Sequence, residues 1–539
     1  MNLFTALQSA WPVTRQDAAI LTDRGTWTWD DLERATAMVA NLLDGLNLRD
    51  RNGHPPVVAA HVDKSVESLV LYLATLRSGG VFLPLNPAYR SSELSYFLED
   101  ARPAVLVCRP EDQEWVIPLA AHAQVGHLFT LGTQGNGSLL THASLHADQH
   151  DTATRHPGDL AAILYTSGTT GRSKGAMLTH GNLLSNARTL LRHWDWRHDD
   201  CLVHALPIFH IHGLFVACHC ALLSGTPMRW LDAFQATAVL SHIADRNTPQ
   251  ATLFMGVPTM YGRLLAQPEL QRELVQGMRL FVSGSAPLLP AAFEAFQART
   301  GHTILERYGM SETGMLCSNP CRSRDGTRMA GSVGKPLPGV KLRIVDDEGA
   351  PLAKGETGHV EVRGPNVFIG YLGMPEKTAE AFTPDGWFRT GDVGRTDADG
   401  RVHLVGRAKD LVITGGLNVY PAEVESLLDR LPGVSESAVI GVPHPDFGEG
   451  VVAVLTVQPG HALDEASVIH AMRDQLSAYK CPKRVFIAQE LPRNAMGKVQ
   501  KNVLRQRHAD AFTAPSADGS AEAIDDVSAP HRVSAGGRA

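Results

Sequence analysis

Two kinds of apolar run alternate along the first four hundred residues, and neither an all-helical nor an all-strand fold accommodates both. VESLVLYLATLRSGG (66–80) reads as a helix closed by Gly79 and Gly80, and VFLPL follows it as a strand. AVLVC (104–108), AAILY (161–165) and LFVSGS (280–285) are further buried-strand candidates. Such alternation predicts an α/β core with largely parallel sheets. From Val340 the texture changes: KLRIV, then DDEG, then HVEVRG has the period-2 pattern and turn signals of antiparallel β. A second unit follows GRAKD (406–410), where PAEVESLLDRL places Val424, Leu427, Leu428 and Leu431 on one helical face. AVIGV and VVAVLTV read as strands there, and DEASVIHAMRDQL as a helix. The expected organisation is α/β: a large domain over 1–405, with parallel-type sheets and a distorted antiparallel part, and a hinge at 406–410. A small mobile α+β domain over 411–511 follows, then a disordered tail over 512–539 without periodicity.

Between two of these elements lies LYTSGTTGRSKGAMLTHGN (164–182), dense in hydroxyls and glycine, with Lys174 close by. Exposed backbone N–H groups and hydroxyls beside a lysine make a nest for an anion, a phosphate chain above all. The following NLLSNARTLLR carries Leu183, Leu184, Ala187, Leu190 and Leu191 at helical spacing, which puts the loop between a strand and a helix. A Walker loop is excluded, because Lys174 precedes Gly175 rather than a hydroxyl.

Composition narrows the class. A formal net charge of −7, with no basic run carrying aromatics, argues against nucleic acid as a partner. Seven cysteines without regular spacing suggest a reducing compartment. The start MNLFTALQSAWPVTRQD has no signal-peptide pattern, and the longest apolar stretch, LVHALPIFHIHGLFVACHCALL, is broken by Pro207 and Gly213. A cytoplasmic enzyme with no membrane partner is expected. His204, His210, His212, Cys218, His219 and Cys220 match no standard zinc spacing, and TDADGR (396–401) reads as a hairpin turn.

Five further stretches carry reactive side chains. SGSAP (Ser283, Gly284, Ser285, Ala286, Pro287) follows a buried strand, at the end where α/β folds bind ligands. ERYGMSETG (306–314) sets Glu312 in a turn suited to Mg²⁺ carried on phosphates. GWFRTGDVG (386–394) puts Asp392 in a tight turn, where a carboxylate accepts both hydroxyls of a ribose. GRAKDLVITGGLNVYP holds Arg407, Lys409, Gly415 and Gly416, and PRNAMGK puts Lys498 on a glycine-marked loop.

In order and spacing these blocks resemble the adenylate-forming enzymes, a superfamily that includes acyl-CoA synthetases, from about residue 10 to residue 510. LPIFHIHGLFVA, FMGVPTMY, SGSAPL, ERYGM, EVRGPNVFIGY and MPEKT are most similar to malonyl-CoA synthetases. The resemblance implies that a carboxylate attacks the α-phosphate of ATP to give acyl-AMP and pyrophosphate, and that coenzyme A then displaces AMP. It implies that Thr166, Ser167, Gly168, Thr169, Thr170, Gly171 and Lys174 embrace the β- and γ-phosphates. Glu312 would ligate Mg²⁺, and Asp392 and Arg407 would hold the ribose. Ser283 to Pro287, with Glu306, Tyr308, Gly309, Met310 and Ser311, would line the adenine and α-phosphate; Ser311 stands where the family often has threonine. Lys498 would stabilise charge on the α-phosphate, Lys409 matches the hinge, and Gly415 with Gly416 would let pantetheine pass. Its PxxxxGK setting is similar to the site that protein acetyltransferases modify, and deacetylases restore, in bacterial acyl-CoA synthetases.

Arg307, just before Tyr308, departs from the uncharged residue of generic members. On an extended segment it points away from Glu306, so the far carboxylate of a diacid is the expected partner. Arg263 is a second candidate for that carboxylate, and His210 stands at the mouth of the acyl pocket. Ile211 and Met310 would limit the pocket to malonate or methylmalonate. Another small acid, or a carrier-protein thiol in place of coenzyme A, is the alternative.

Overall fold

The computed structural model describes residues 1–48, 54–166, 173–415, 417–473, 475–494 and 497–512. Ser167, Gly168, Thr169, Thr170, Gly171, Gly416 and the tail beyond Phe512 lie outside the described residues.

Two large sheets carry the first four hundred residues. One runs Gly370–Tyr371, Lys174–Thr179, Leu160–Thr166, Val81–Pro84, Val57–His61, Val105–Cys108, His127–Thr130. Its central strands are parallel and buried along their whole length, as continuous apolar runs require when both faces are covered. The other is parallel from Leu305–Met310 through Leu280–Ser283, Leu253–Gly256, Leu202–His204 and Met228–Trp230 to Ala18–Thr22, with antiparallel strands at both edges. The helix Val66–Arg77 is buried at every position, which explains why its apolar residues show no single stripe. Ser65 and Ser68 form a reciprocal capping box at its start.

Lys64, just before that helix, ties the two sheets together. Its ammonium donates to the carbonyls of His204 (2.8 Å) and Leu231 (2.5 Å), at the ends of two strands of the other sheet. It also lies 4.3 Å from the Trp230 ring centroid. Nothing in the sequence pattern marks this buried cation.

Lys341–Val345, Gly358–Arg363, Phe388–Thr396 and Val402–Arg407 form the antiparallel sheet that the change of texture predicts. After a single 3₁₀ turn, Ala408–Asp410, a separate sheet begins, built on the long pair Val434–His444 and Gly448–Val457. Alternate residues serve its two faces. Val439, Val451, Ala453 and Leu455 pack with the helices Pro421–Leu428 and Glu465–Arg473, while Ile440, Val452 and Val454 meet Leu504 of Lys501–Arg507.

One expectation needs correction. Leu160–Thr166 and Lys174–Thr179 pair antiparallel, with Thr166 opposite Lys174, so the helix His180–His193 comes one strand later than expected. Within the long apolar stretch, His212–Cys218 is a π-helix. Cys218 there lies 3.3 Å from His204 Nε2, whereas His219 pairs with the Tyr72 hydroxyl at 2.6 Å, so the two project to different partners. No helix among the described residues is long and apolar enough to cross a membrane.

Lys64→Met removes a charged donor from two buried carbonyls, each costing about 1–3 kcal/mol when left unpaired. The expected outcome is a loss of about 2–6 kcal/mol, read as a lower urea midpoint with an unchanged m-value.

Candidate active site

The site forms where parallel strands end. Leu280–Ser283 runs into the turn 284–288, in which Ser285 takes a left-handed φ of 73° and its hydroxyl stands 3.3 Å from His212 Nδ1. The neighbouring strand, Leu305–Met310, places successive side chains on opposite faces. Glu306 turns toward the 284–288 turn, accepting the Leu288 N–H at 3.2 Å, and its burial pushes the carboxyl up to about 8. Its side chain therefore shapes the turn, a part that the motif did not specify.

Arg307 turns the other way. It is 3% exposed, and its Nε and Nη2 have no hydrogen-bond partner. Gly284 leaves the space it fills: a Cβ there would stand 2.6 Å from the guanidinium carbon. Burial pulls its pKa down to about 9, and the ionisable neighbours felt by or feeling its charge include Tyr261, His210 and His212 rather than a carboxylate. His210 is driven to about 3 by burial, by Lys498 and by Arg307, so it is a neutral imidazole at physiological pH. A buried guanidinium with two open donors has the chemistry to accept an anion.

The nucleotide-side residues gather from three elements. Glu312 lies in the hairpin turn between Leu305–Met310 and Gly314–Ser318, buried, with Oε1 accepting the Tyr371 hydroxyl at 3.1 Å. Its pKa is raised by burial, against the pull of Arg407. Lys174 lies 4.8 Å from the Tyr371 ring centroid, which puts lysine, ring and carboxylate in one array. Asp392 is not in a tight turn, as expected, but in the strand Phe388–Thr396, opposite Arg407 on the next strand. The pairing shifts register there, and Gly391 has φ 72°, so Thr390-Gly391-Asp392 forms a bulge that re-aims the carboxylate. Arg407 Nε meets Asp392 Oδ1 at 2.8 Å, and the Tyr308 hydroxyl donates to Oδ2. Each oxygen keeps acceptor capacity for a further hydroxyl.

Lys498 reaches this cleft from the small domain. Its loop closes on Asn494, whose Oδ1 accepts the Lys498 N–H at 3.0 Å, and a Cβ at Gly497 would stand 2.9 Å from Thr259 of the large domain. The side chain keeps solvent access in the cleft but has protein on most sides. That burial, followed by Arg407, lowers its pKa, while Asp392 and Glu312 oppose the shift.

Other expected residues lie elsewhere. Arg263 is exposed on the helix Pro258–Leu265, whose Tyr261 and Leu264 are buried. Gly415, with φ 57°, turns a hairpin whose N–H bonds to Phe447 O at 2.8 Å within the small domain. Lys409 is exposed in the 3₁₀ turn between the domains. Ile211 is buried beside Phe215, and Met310 is half-buried against the core. Ala286 and Pro287 lie in the turn of Ser285, Ser311 lies in that of Glu312, and Gly309 lies in the strand Leu305–Met310. Motif reading missed His212, Thr390 and Tyr371; Tyr371 stood within a quoted stretch but nothing signalled its hydroxyl.

A large α/β domain whose cleft is closed by a lysine from a small α+β domain is the architecture of an adenylate-forming ligase. The chain belongs to the AMP-binding enzyme family: residues 7–372 match the family itself, and residues 423–498 match the AMP-binding enzyme C-terminal domain. The mitochondrial malonate–CoA ligase ACSF3 of Mus musculus is 38% identical over 471 residues, covering 81% of this chain and 79% of its own. ATP-bound MatB of Rhodopseudomonas palustris is 50% identical, with 95% of this chain and 99% of that chain covered at a TM-score of 0.91. Apo MatB superposes with a TM-score of 0.80.

Glu306 gives the site a pH signature. Its folded value of about 8 lies above the ordinary 4.5, so the neutral acid is the form that the fold accepts. The associated stability is complete below pH about 4.5 and is lost as pH rises through about 8. Glu306→Gln is expected to remove that slope, so wild type loses ground to the variant by up to about 1.4 kcal/mol per pH unit across the window. Parallel slopes in denaturation series would contradict the assignment.

Proposed function

We propose that this protein is an ATP-dependent malonate–CoA ligase, forming malonyl-AMP and pyrophosphate and then malonyl-CoA and AMP. One observation carries the choice of acid: the buried Arg307 guanidinium with two unpartnered N–H donors. A carboxylate separated from the reacting one by a single methylene supplies the bidentate partner, and Ile211 and Met310 bound the space around it. The kinship to proteins named malonate–CoA ligase supports the same reading. Methylmalonate is the next acid that this pocket would take.

In this reading Lys498 stabilises negative charge on the α-phosphate as the malonate oxygen attacks. Asp392 and Arg407 hold the ribose, Tyr308 and the 284–287 turn flank the adenine, and Lys174 meets the outer phosphates. Glu312, a buried carboxylate that accepts the neutral Tyr371 hydroxyl, suits a hard cation arriving on phosphate oxygens. Mg²⁺ there would neutralise phosphate charge. Rotation about Ala408–Asp410 then withdraws Lys498 and brings the Gly415 hairpin to the thiol path. The better superposition on the ATP-bound relative than on its apo form fits a chain poised for adenylation. A protein acetyltransferase acting on Lys498 would switch off this step, and a deacetylase would restore it.

A panel of acetate, malonate, methylmalonate, succinate and benzoate tests the acid, with thioester formation as readout; malonate should lead. Arg307→Leu should lose about two to three decades of malonate kcat/KM, the scale of one unpaired buried charge. Its ATP affinity should hold. Equal malonate turnover by both proteins would refute the role.

The half-reactions should also separate. Lys498→Ala should fail to form the adenylate yet convert supplied malonyl-AMP to malonyl-CoA, and Gly415→Leu should do the reverse. Failure of both variants in one half-reaction would sink the rotation.

A further inference from the structure

The strands that carry Thr166 and Lys174 are held from outside the sheet by one helix. Thr166 opposite Lys174 is the last register pair between them, and Thr166 Oγ1 reaches only the Lys174 carbonyl, at 3.5 Å. The helix Ser91–Ala101 meets each leg with one polar contact. The Tyr96 hydroxyl donates to the carbonyl of Ser173 at 2.6 Å, immediately before Lys174. The Tyr165 hydroxyl, immediately before Thr166, donates to Asp100 Oδ2 at 2.5 Å. Tyr96 and Asp100 are four residues apart, on one face of the helix.

The surrounding packing favours this geometry. Phe97 lies between the two contacts in sequence, and its ring centroid is 4.5 Å from that of Tyr165. Gly175, the register partner of Tyr165, has no side chain: a Cβ there would stand 3.3 Å from Tyr165 Cε1. The Tyr165 ring therefore lies across its partner strand. Burial raises the Asp100 carboxyl, and the Tyr165 hydrogen bond opposes that rise.

We propose that Tyr96 and Asp100 are positioning residues for the phosphate side of the cleft, setting Lys174 and Thr166 at the height that the β- and γ-phosphates of ATP require. This rests on the reading of Lys174 as a phosphate ligand. Packing alone does not account for the pattern. All four residues are only part-buried, and each hydroxyl meets a polar acceptor on the opposite element rather than solvent or its own strand.

AMP separates positioning from simple stability, because it lacks the phosphates that Lys174 and Thr166 would meet. Affinities for ATP and AMP are measured by calorimetry without acid or coenzyme A, so the result does not depend on malonate being the substrate. Tyr96→Phe and Tyr165→Phe keep their rings and lose one hydrogen bond each. Each should weaken ATP binding by about five- to tenfold, the scale of one lost hydrogen bond, and leave AMP within about twofold. Asp100→Asn keeps an acceptor for Tyr165 and should retain most ATP affinity, whereas Asp100→Ala should behave like Tyr165→Phe. Equal weakening of ATP and AMP, or of neither, would overturn the proposal. If wild type binds ATP and turns over none of the panel acids, the acid assignment fails, while selective loss of ATP affinity in the variants still supports the clamp.

Discussion

A guanidinium buried without a carboxylate is the constraint around which the cleft is arranged. Desolvating such a charge costs several kcal/mol unless a partner compensates it. The surroundings of Arg307 keep that burden from growing: His210 is neutral, and Gly284 is bare where any side chain would collide. The adjacent carboxylate, Glu306, is turned to the opposite face and held protonated by burial, so it cannot satisfy Arg307 internally. A structural arginine would have been paired. Leaving this one open favours binding of an anion whose charge completes it.

The nucleotide side follows a different rule, that of charges already balanced. Asp392 meets both Arg407 and Tyr308, and Glu312 meets Tyr371 beneath Lys174. These groups are ordered before any ligand arrives, which reduces what must be fixed when ATP binds. The bulge at Thr390-Gly391-Asp392 serves the same end. It departs from regular pairing in order to aim one carboxylate, and the Asp392 N–H is satisfied by Thr390 Oγ1 at 3.1 Å.

How much of this was legible depends on whether a local pattern encodes it. Alternating apolar runs announced the parallel sheets, because strands buried on both faces must be apolar throughout. The motif residues Glu312, Asp392, Arg407 and Lys498 were found by order and spacing, and they do converge on one cleft. The bulge was not legible, since TGD has the same letters in a turn and in a kinked strand. Nor was Lys64, whose partners are two carbonyls over a hundred residues away. For Arg263 the helical spacing was legible, but its exposure was not, because which face of Pro258–Leu265 meets solvent depends on what packs beneath Tyr261 and Leu264.

Lys498 shows why such a site needs two domains. Arg407 and the surrounding protein depress its charge, and Asp392 and Glu312 only partly offset them. A lysine so placed is held by the geometry of its loop, through Asn494 and the close approach of Gly497 to Thr259, rather than by a strong ion pair of its own. Negative charge on ATP strengthens its hold on the cleft. In the proposed reaction, departure of pyrophosphate would remove most of that charge and leave Lys498 among Arg407 and Arg307, which repel it, and Asp392 and Glu312, which attract it. That chemistry would weaken the contact that closed the cleft, across a connection of a single 3₁₀ turn. In the proposed reaction, the same electrostatics that favour adenylate formation would therefore favour the small domain's release once it is complete.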